Sequence, residues 1–438
     1  MHFNQIRKIF VRTVYILVFF YVSSPIVHPE KLYENVNVLL FTIDSLRHDH
    51  LGCYGYEKNI TPALDKLAKT AVVFSQAIAQ SAWTSPCLIS IFTALYPHSH
   101  NVDASGKSIE NNITALPEIL KKYGYISPAF SYLIRDPNFF HLGFERAPEH
   151  IYEGSSLDDL FELLKIYKDE KFFIWYHDKT IHLPYKPSFP YDQLLTHMQE
   201  DEDSKMSSGL FAVKNNVIIK NGTVEFKKED RKEIIDLYDA NIKRLDDHIS
   251  FLIMKLEELE LLDNTLIIIT ADHGEELLDH GFVGHASTSL NAKLYDEIVH
   301  IPLIFSLPGY LSSKSIDAQV QQIDIMPTLL DFLNIPIPSN LEGRSLVPLI
   351  QDQRQEWPEY ALSETNMGGY QSTEEMKKIL LTSLRTSEWK LIRRKNKEDI
   401  KYELYHLEKD PEEKKDVFQD YPEIFKNLNS EMRKLTDL

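Results

Sequence analysis

The chain has 438 residues, more than one hydrophobic core usually organises, which predicts a large domain with a smaller one attached. Its 43% hydrophobic content excludes disorder, and a formal net charge of -18 excludes nucleic acid as a partner, because phosphate backbones need clustered Lys and Arg. Two cysteines, Cys53 and Cys87, exclude a disulfide framework and a structural zinc site while leaving the redox compartment open.

In chain order, Arg7, Lys8 and Arg12 precede an apolar run over 13–22 that is short for a bilayer span. With small residues at Ser23 and Ser24, this start predicts a leader over 1–34 that exports or anchors the chain. The alternative is an apolar segment packed on the domain. Residues 38–43 form an apolar run without alternation, as a strand buried on both faces requires, and it ends in Asp44, Ser45, Leu46 and Arg47. Arg47 is expected to pair structurally. Asn59, Asn112 and Asn221 begin Asn-x-Thr triplets, a glycosylation pattern that also recurs by chance. Thr61 and Pro62 read equally well as an N-cap and first residue of a helix over 62–69. A strand at 72–74 follows, then a loop over 82–86 in which Pro86 opens a helix to Thr93. Thr84 then sits beside a helix N-terminus, where backbone amides favour an anion.

Alternation continues with helices at 116–122 and 157–167 and strands at 126–130 and 172–176, the order of a layered α/β domain. Residues 188–227 read as an irregular excursion. From Tyr238 to Leu259 apolar residues step by four and three, a long amphipathic helix whose stripe is core. It feeds a buried strand at 266–269, whose tip delivers Asp272, His273 and Gly274. In open α/β sheets that end is where ligands bind. Asp272 would alternatively cap a helix. A strand at 301–305 and a helix at 324–333 complete the large domain, 35–354. Beyond it, strands at 360–363, 381–385, 389–393 and 402–406 and a helix at 422–435 predict a small antiparallel α+β subdomain, 355–438. His98 and His100 read as surface-loop residues.

Asp44, Asp272 and His273, with the Thr84 hydroxyl, make a four-point set of mixed oxygen and nitrogen donors. Such a set suits one divalent metal ion, Mn²⁺ or Zn²⁺ ahead of Ca²⁺, which prefers all-oxygen shells.

The segment from Asn37 through Asp44, Ser45 and Arg47 to Gly55 resembles the opening of the sulfatase family, within the alkaline phosphatase superfamily. Further matches follow in order at 93–97, 271–276, 324–330, 343–348, 389–392 and 403–411. The resemblance implies a large mostly parallel sheet flanked by helices, alkaline-phosphatase-like, and a hydrolase of sulfuric or phosphoric esters. It implies that Asp44, Asp272 and His273 are metal ligands and that Thr84 stands at the nucleophile position. The family commonly has there a Cys or Ser converted to formylglycine, followed by Pro and Arg at set spacing. Here Cys87 comes three residues late and Leu88 replaces the Arg, so formylglycine is not expected. Ser45 likewise replaces a second carboxylate. His182 resembles the family histidine that contacts the substrate's anionic group, although a His before a Leu-Pro turn is otherwise a structural residue. His285 falls where many members carry a substrate-binding Lys; His280 has no assignable role.

Three functions remain open on the sequence. The leading one is ester hydrolysis on a small-molecule, glycan or lipid anion. The second is transfer of a phospho-group to a sugar or lipid, and the third is a non-catalytic binding protein on the same scaffold, motivated by Ser45 and Leu88. No sequence feature specifies the oligomeric state.

Overall fold

The computed structural model describes residues 36–102, 109, 112–131, 133, 139, 141–145, 156–194, 206–353, 357–397 and 399–436. The expected leader lies outside them, and no helix among the described residues is long and apolar enough to cross a membrane.

Strand β1 (Asn37–Ile43) is buried at every position, as its unalternating apolar sequence requires. Helix α1 (Pro62–Ala68) starts at Pro62, but Thr61 does not cap it. The Thr61 hydroxyl instead accepts from the Gly52 N–H (2.9 Å) and donates to Asp65 (3.2 Å). Strand β2 (Val72–Ile78) runs beyond the expected 72–74 because a register shift after Phe74 admits polar Ser75 and Gln76. Their side chains bond to Asp317.

Helix α2 (Thr84–Thr93) opens two residues ahead of Pro86. Pro86 occupies its third position, where a missing N–H leaves no intrahelical bond unmade. Every residue of α2 is buried. Helix α3 (Pro97–His100) follows; His100 is fully buried, its Nε2 3.1 Å from Ser90 Oγ, so the surface-loop expectation fails for it. His98 stays exposed and pairs with Glu364.

Helix α4 (Leu116–Lys122), the short strand β3 (Ala129–Phe130), helix α5 (Leu157–Tyr167) and strand β4 (Phe173–Asp178) continue the alternation. The expected excursion over 188–227 contains helix α6 (Ser208–Asn215), capped by Ser207 Oγ accepting from the Leu210 N–H at 3.0 Å. Helix α7 (Asp230–Glu258) is longer than its apolar stripe and leads to β5 (Thr265–Ala271), again buried throughout.

A two-stranded hairpin, β6 (Glu276–Leu277) and β7 (Val283–Gly284), and two single-turn helices, α8 (Ala286–Ser289) and α9 (Asp296–Val299), separate β5 from β8 (His300–Ser306). Strand β9 (Lys314–Gln321) and helices α10 (Ile325–Phe332) and α11 (Val347–Ile350) follow. The main sheet has seven strands in the order β3-β4-β1-β5-β8-β2-β9. Strand β8 is antiparallel to both β5 and β2; the other neighbours are parallel.

A second, four-stranded antiparallel sheet is built from β10 (Ala361–Asn366), β11 (Ile379–Arg385), β12 (Trp389–Asn396) and β13 (Asp399–His406). Leu362, Leu384, Leu391 and Leu404 share a core with Leu428 and Met432 of helix α12 (Pro422–Thr436).

Between β9 and α10, Asp324 accepts from the Gln321 and Arg344 N–H groups, both at 2.8 Å. Burial nevertheless pushes its carboxyl up to about 7. A raised folded-state value means that stability is lost as pH rises from about 4 to about 7, by up to about 1.4 kcal/mol per pH unit. Denaturation of wild type and Asp324→Asn across this range should therefore show the difference moving in favour of Asn as pH rises. A difference independent of pH would refute the buried charge.

Candidate active site

Register positions the site. Ile43 lies beside Ala271 on one flank and Asp178 on the other, so Asp44 and Asp272 leave the sheet at one edge. Ser45 then takes a left-handed conformation (φ 65°), unusual for a residue with a side chain. That turn aims its N–H at Asp272 Oδ1 (3.0 Å) and its hydroxyl at Asp44 Oδ1 (3.0 Å). The residue that replaces a carboxylate thus orients the two that remain.

His273 Nδ1 donates to the Gly274 carbonyl at 2.8 Å, which leaves Nε2 as the lone-pair nitrogen. Nε2 lies 3.5 Å from Asp272 Oδ2, 3.9 Å from Asp44 Oδ1 and 3.4 Å from Thr84 Oγ1. Gly274 is needed at this turn, since a Cβ there would lie 2.0 Å from the Glu297 carbonyl oxygen. Thr84, the first residue of α2, thus lies beside the strand tips.

Asp44, Asp272 and His273 are buried, and each offers a ligand atom within 4.8 Å of the others. Asp272 Oδ2 is buried without a hydrogen-bond partner, a state that costs about 1–3 kcal/mol unless a cation meets it. Two carboxylates, one of them bearing that orphaned oxygen, and an imidazole nitrogen fit one divalent cation. Burial pushes both carboxyls up, but His182, His177 and His273 hold Asp44 well below the usual carboxylate range. Asp272 stays raised, its burial reinforced by the charge of Asp44.

The β6–β7 hairpin returns His285 to the same place. Its Nδ1 lies 2.9 Å from Glu275 Oε1, and its ring centre is 4.4 Å from that of His273 and 5.2 Å from that of His182. Burial and the neighbouring imidazoles push His285 well below its ordinary value, so it is neutral. Burial pushes Glu275 up to about 7, and Tyr185 Oη donates to its other oxygen at 3.2 Å. His182 donates from Nδ1 to the Leu183 carbonyl at 2.6 Å. Burial acts to lower it, but Asp44 and Glu275 hold it above the ordinary histidine value.

Two neighbours escape the sequence reading. His177, at the end of β4, places Nδ1 2.8 Å from Thr42 Oγ1 and Nε2 3.6 Å from Asp44 Oδ2. Glu275 holds the His285 ring. Other positions sit elsewhere: Arg47 pairs with Asp49 (2.7 Å) and Asp279 (2.6 Å), as expected. Leu88 is fully buried, and Cys87 turns its thiol to the Ser81 carbonyl. His280 belongs to a different cluster with Glu276 and Glu297.

A family model described as Sulfatase matches residues 36–335, more than half of the chain. The protein belongs to the sulfatase family. A second model, N-sulphoglucosamine sulphohydrolase, C-terminal, matches residues 291–437. Arylsulfatase K of Canis lupus familiaris is 30% identical over 223 residues, 49% of this sulfatase-family chain and 39% of that relative, so the chain spans about two fifths of its length. The N-acetylglucosamine-6-O-sulfatase of Bacteroides thetaiotaomicron is 22% identical over 87% of this chain and 82% of that one. Among solved structures, the phosphonate monoester hydrolase of Agrobacterium radiobacter superposes with a TM-score of 0.75 at 22% identity, covering 91% of this chain and 95% of its own. A protein solved with its substrate D-glucosamine-2-N,6-O-disulfate gives 0.73 at 20% identity, covering 92% and 98%. These likenesses establish the shared sulfatase fold.

Proposed function

We propose that this sulfatase-family protein is a metal-dependent hydrolase of sulfuric or phosphoric esters with Thr84 as nucleophile. The observation that carries the reading is the 3.4 Å between Thr84 Oγ1 and His273 Nε2, at the strand tips that bear Asp44 and Asp272. Asp44, Asp272, His273 and the Thr84 hydroxyl would hold the ion, Mn²⁺ or Zn²⁺ ahead of Ca²⁺. When bound, the ion supplies a lowered hydroxyl pKa and positive charge for the ester's non-bridging oxygens.

Thr84 Oγ bonds to the sulfur or phosphorus as the bond to the alcohol oxygen breaks, and the alcohol leaves with a proton. Water then displaces Thr84 in a second in-line step. His182 donates from Nε2 to the anionic oxygens, its Nδ1 being held by the Leu183 carbonyl; the neutral His285 donates from Nε2 as well, its Nδ1 accepting from the carboxyl of Glu275, which burial pushes up to about 7. A formylglycine hydrate has a second hydroxyl that can expel sulfate without attack at sulfur. Threonine has none, which favours phosphorus. The glucosamine compounds named for two of the similar proteins support an anionic glycan ester as substrate.

The test is turnover of aryl sulfate, phosphomonoester and phosphodiester model substrates before and after chelation. Activity should vanish on chelation and return with Mn²⁺ or Zn²⁺. Full turnover by the chelated protein would sink the reading, and product that forms only with an added sugar or lipid acceptor would replace hydrolysis by transfer.

A further inference from the structure

We propose that Glu276, His280 and Glu297 form a second divalent-cation site, sharing no ligand with the strand-tip cluster. Glu276 lies on β6, His280 on the turn that follows it, and Glu297 in α9, and each offers a ligand atom within 4.8 Å of the others.

The hydrogen positions make the argument. His280 Nε2 is 3.2 Å from the backbone carbonyl of Glu413. A carbonyl only accepts, so Nε2 carries a hydrogen. The opposite nitrogen, Nδ1, faces Glu297 Oε1 at 2.6 Å and Glu276 Oε2 at 3.5 Å. A lone pair does not face two carboxylates unaided, so positive charge belongs among the three groups. A second ring proton points along one line and serves Glu297. It leaves Glu276 Oε2, which is fully buried, with no partner but the Glu297 carboxyl, which meets it only by taking up a proton of its own, as burial favours by pushing that carboxyl up to about 7. A divalent cation satisfies all three at once.

The surroundings agree. A ring N–H donated to a backbone carbonyl is the outer contact that metal-ligating histidines habitually make, because it fixes tautomer and orientation. Tyr295 stacks on the His280 ring at 3.9 Å between centres and holds its plane. The nearby cations already serve other acids. Lys390 pairs with Asp296 (2.5 Å) and Glu413 (2.9 Å), Arg385 with Asp296 (2.9 Å), and Arg47 with Asp49 and Asp279. The His280 side chain keeps 13% exposure, an entry for an ion from solvent. Two carboxylates and one imidazole select Mn²⁺ or Zn²⁺ over Ca²⁺. An ion here would pin the start of the hairpin that returns His285 to the active site.

The test uses the full chain, stripped of metal and reloaded with Mn²⁺ or Zn²⁺, with metal content measured per chain. Wild type should hold two ions; His280→Ala and Glu276→Gln should each hold one, and so should Asp272→Asn. Glu276→Gln keeps an oxygen for the His280 N–H it now accepts from, so the turn should fold. Anomalous scattering from loaded wild-type crystals should place the two ions apart, which needs no variant. A single ion in wild type that Glu276→Gln retains, with no anomalous peak at His280, overturns the proposal and leaves the strand-tip site standing. A single ion that Asp272→Asn retains and Glu276→Gln loses does the reverse.

Discussion

Thr84→Ala should lower kcat/KM by at least ~10³-fold, the scale on which removing a nucleophile acts when its partners remain. The side chain meets the site directly, with Oγ1 3.4 Å from His273 Nε2, so the change removes the proposed reacting oxygen and leaves Asp44, Asp272 and His273 in place. Three of the four proposed ligands remain, so the variant should still take up the ion, but more weakly than wild type. The fold should also survive, because Thr84 contributes no side-chain cap to α2, whose preceding residue is Trp83. Thr84→Ser separates chemistry from packing: it keeps the hydroxyl, drops a methyl group, and should retain activity within about tenfold to a hundredfold. Equal turnover in wild type and Thr84→Ala, on every model ester, would mean that water attacks directly and that Thr84 is a bystander.

Much of this site is legible in the chain because strand tips obey a simple rule. Unalternating apolar runs mark β1 and β5, both wholly buried, and the residues just past them, Asp44 and Asp272, are the ones the sheet brings together. His177 belongs to the same rule, yet the apolar run of β4 stops at Tyr176, and the reading stops with it. Glu275 stands within the family match at 271–276, but only the closed hairpin shows that its partner is His285, ten positions away. Strand direction is hidden for a different reason. The run at 301–305 reports burial on both faces, which is the same whichever way a strand points. The insertion that carries Glu276, His280 and His285 leads β8 back antiparallel. His100 looks like a loop residue beside Pro97 and Asn101 until Ser90 and the Val102 N–H are seen to satisfy both ring nitrogens in the interior.

Lys390→Met should destabilise the fold by about 3–5 kcal/mol, because it strips the counter-ion from buried carboxylates. A lysine on a strand is ordinarily exposed, and nothing in the local pattern around Trp389 says otherwise. Here the side chain is fully buried on β12, with Nζ 2.5 Å from Asp296 Oδ1 and 2.9 Å from Glu413 Oε1. Asp296 would keep Arg385 at 2.9 Å. Glu413 would keep only neutral help at its carboxylate, the Asp296 N–H donating to Oε2 at 2.6 Å. The damage should be carried by Glu413, whose carboxyl burial pushes up to about 8 even beside Lys390, and it should ease as pH falls and that carboxyl takes a proton. Denaturant midpoints of Lys390→Met, Glu413→Gln and the double variant decide it. The double variant should recover a large part of the loss, since no uncompensated charge remains. If the two losses simply add, the pair is not coupled and the lysine matters through its packing alone.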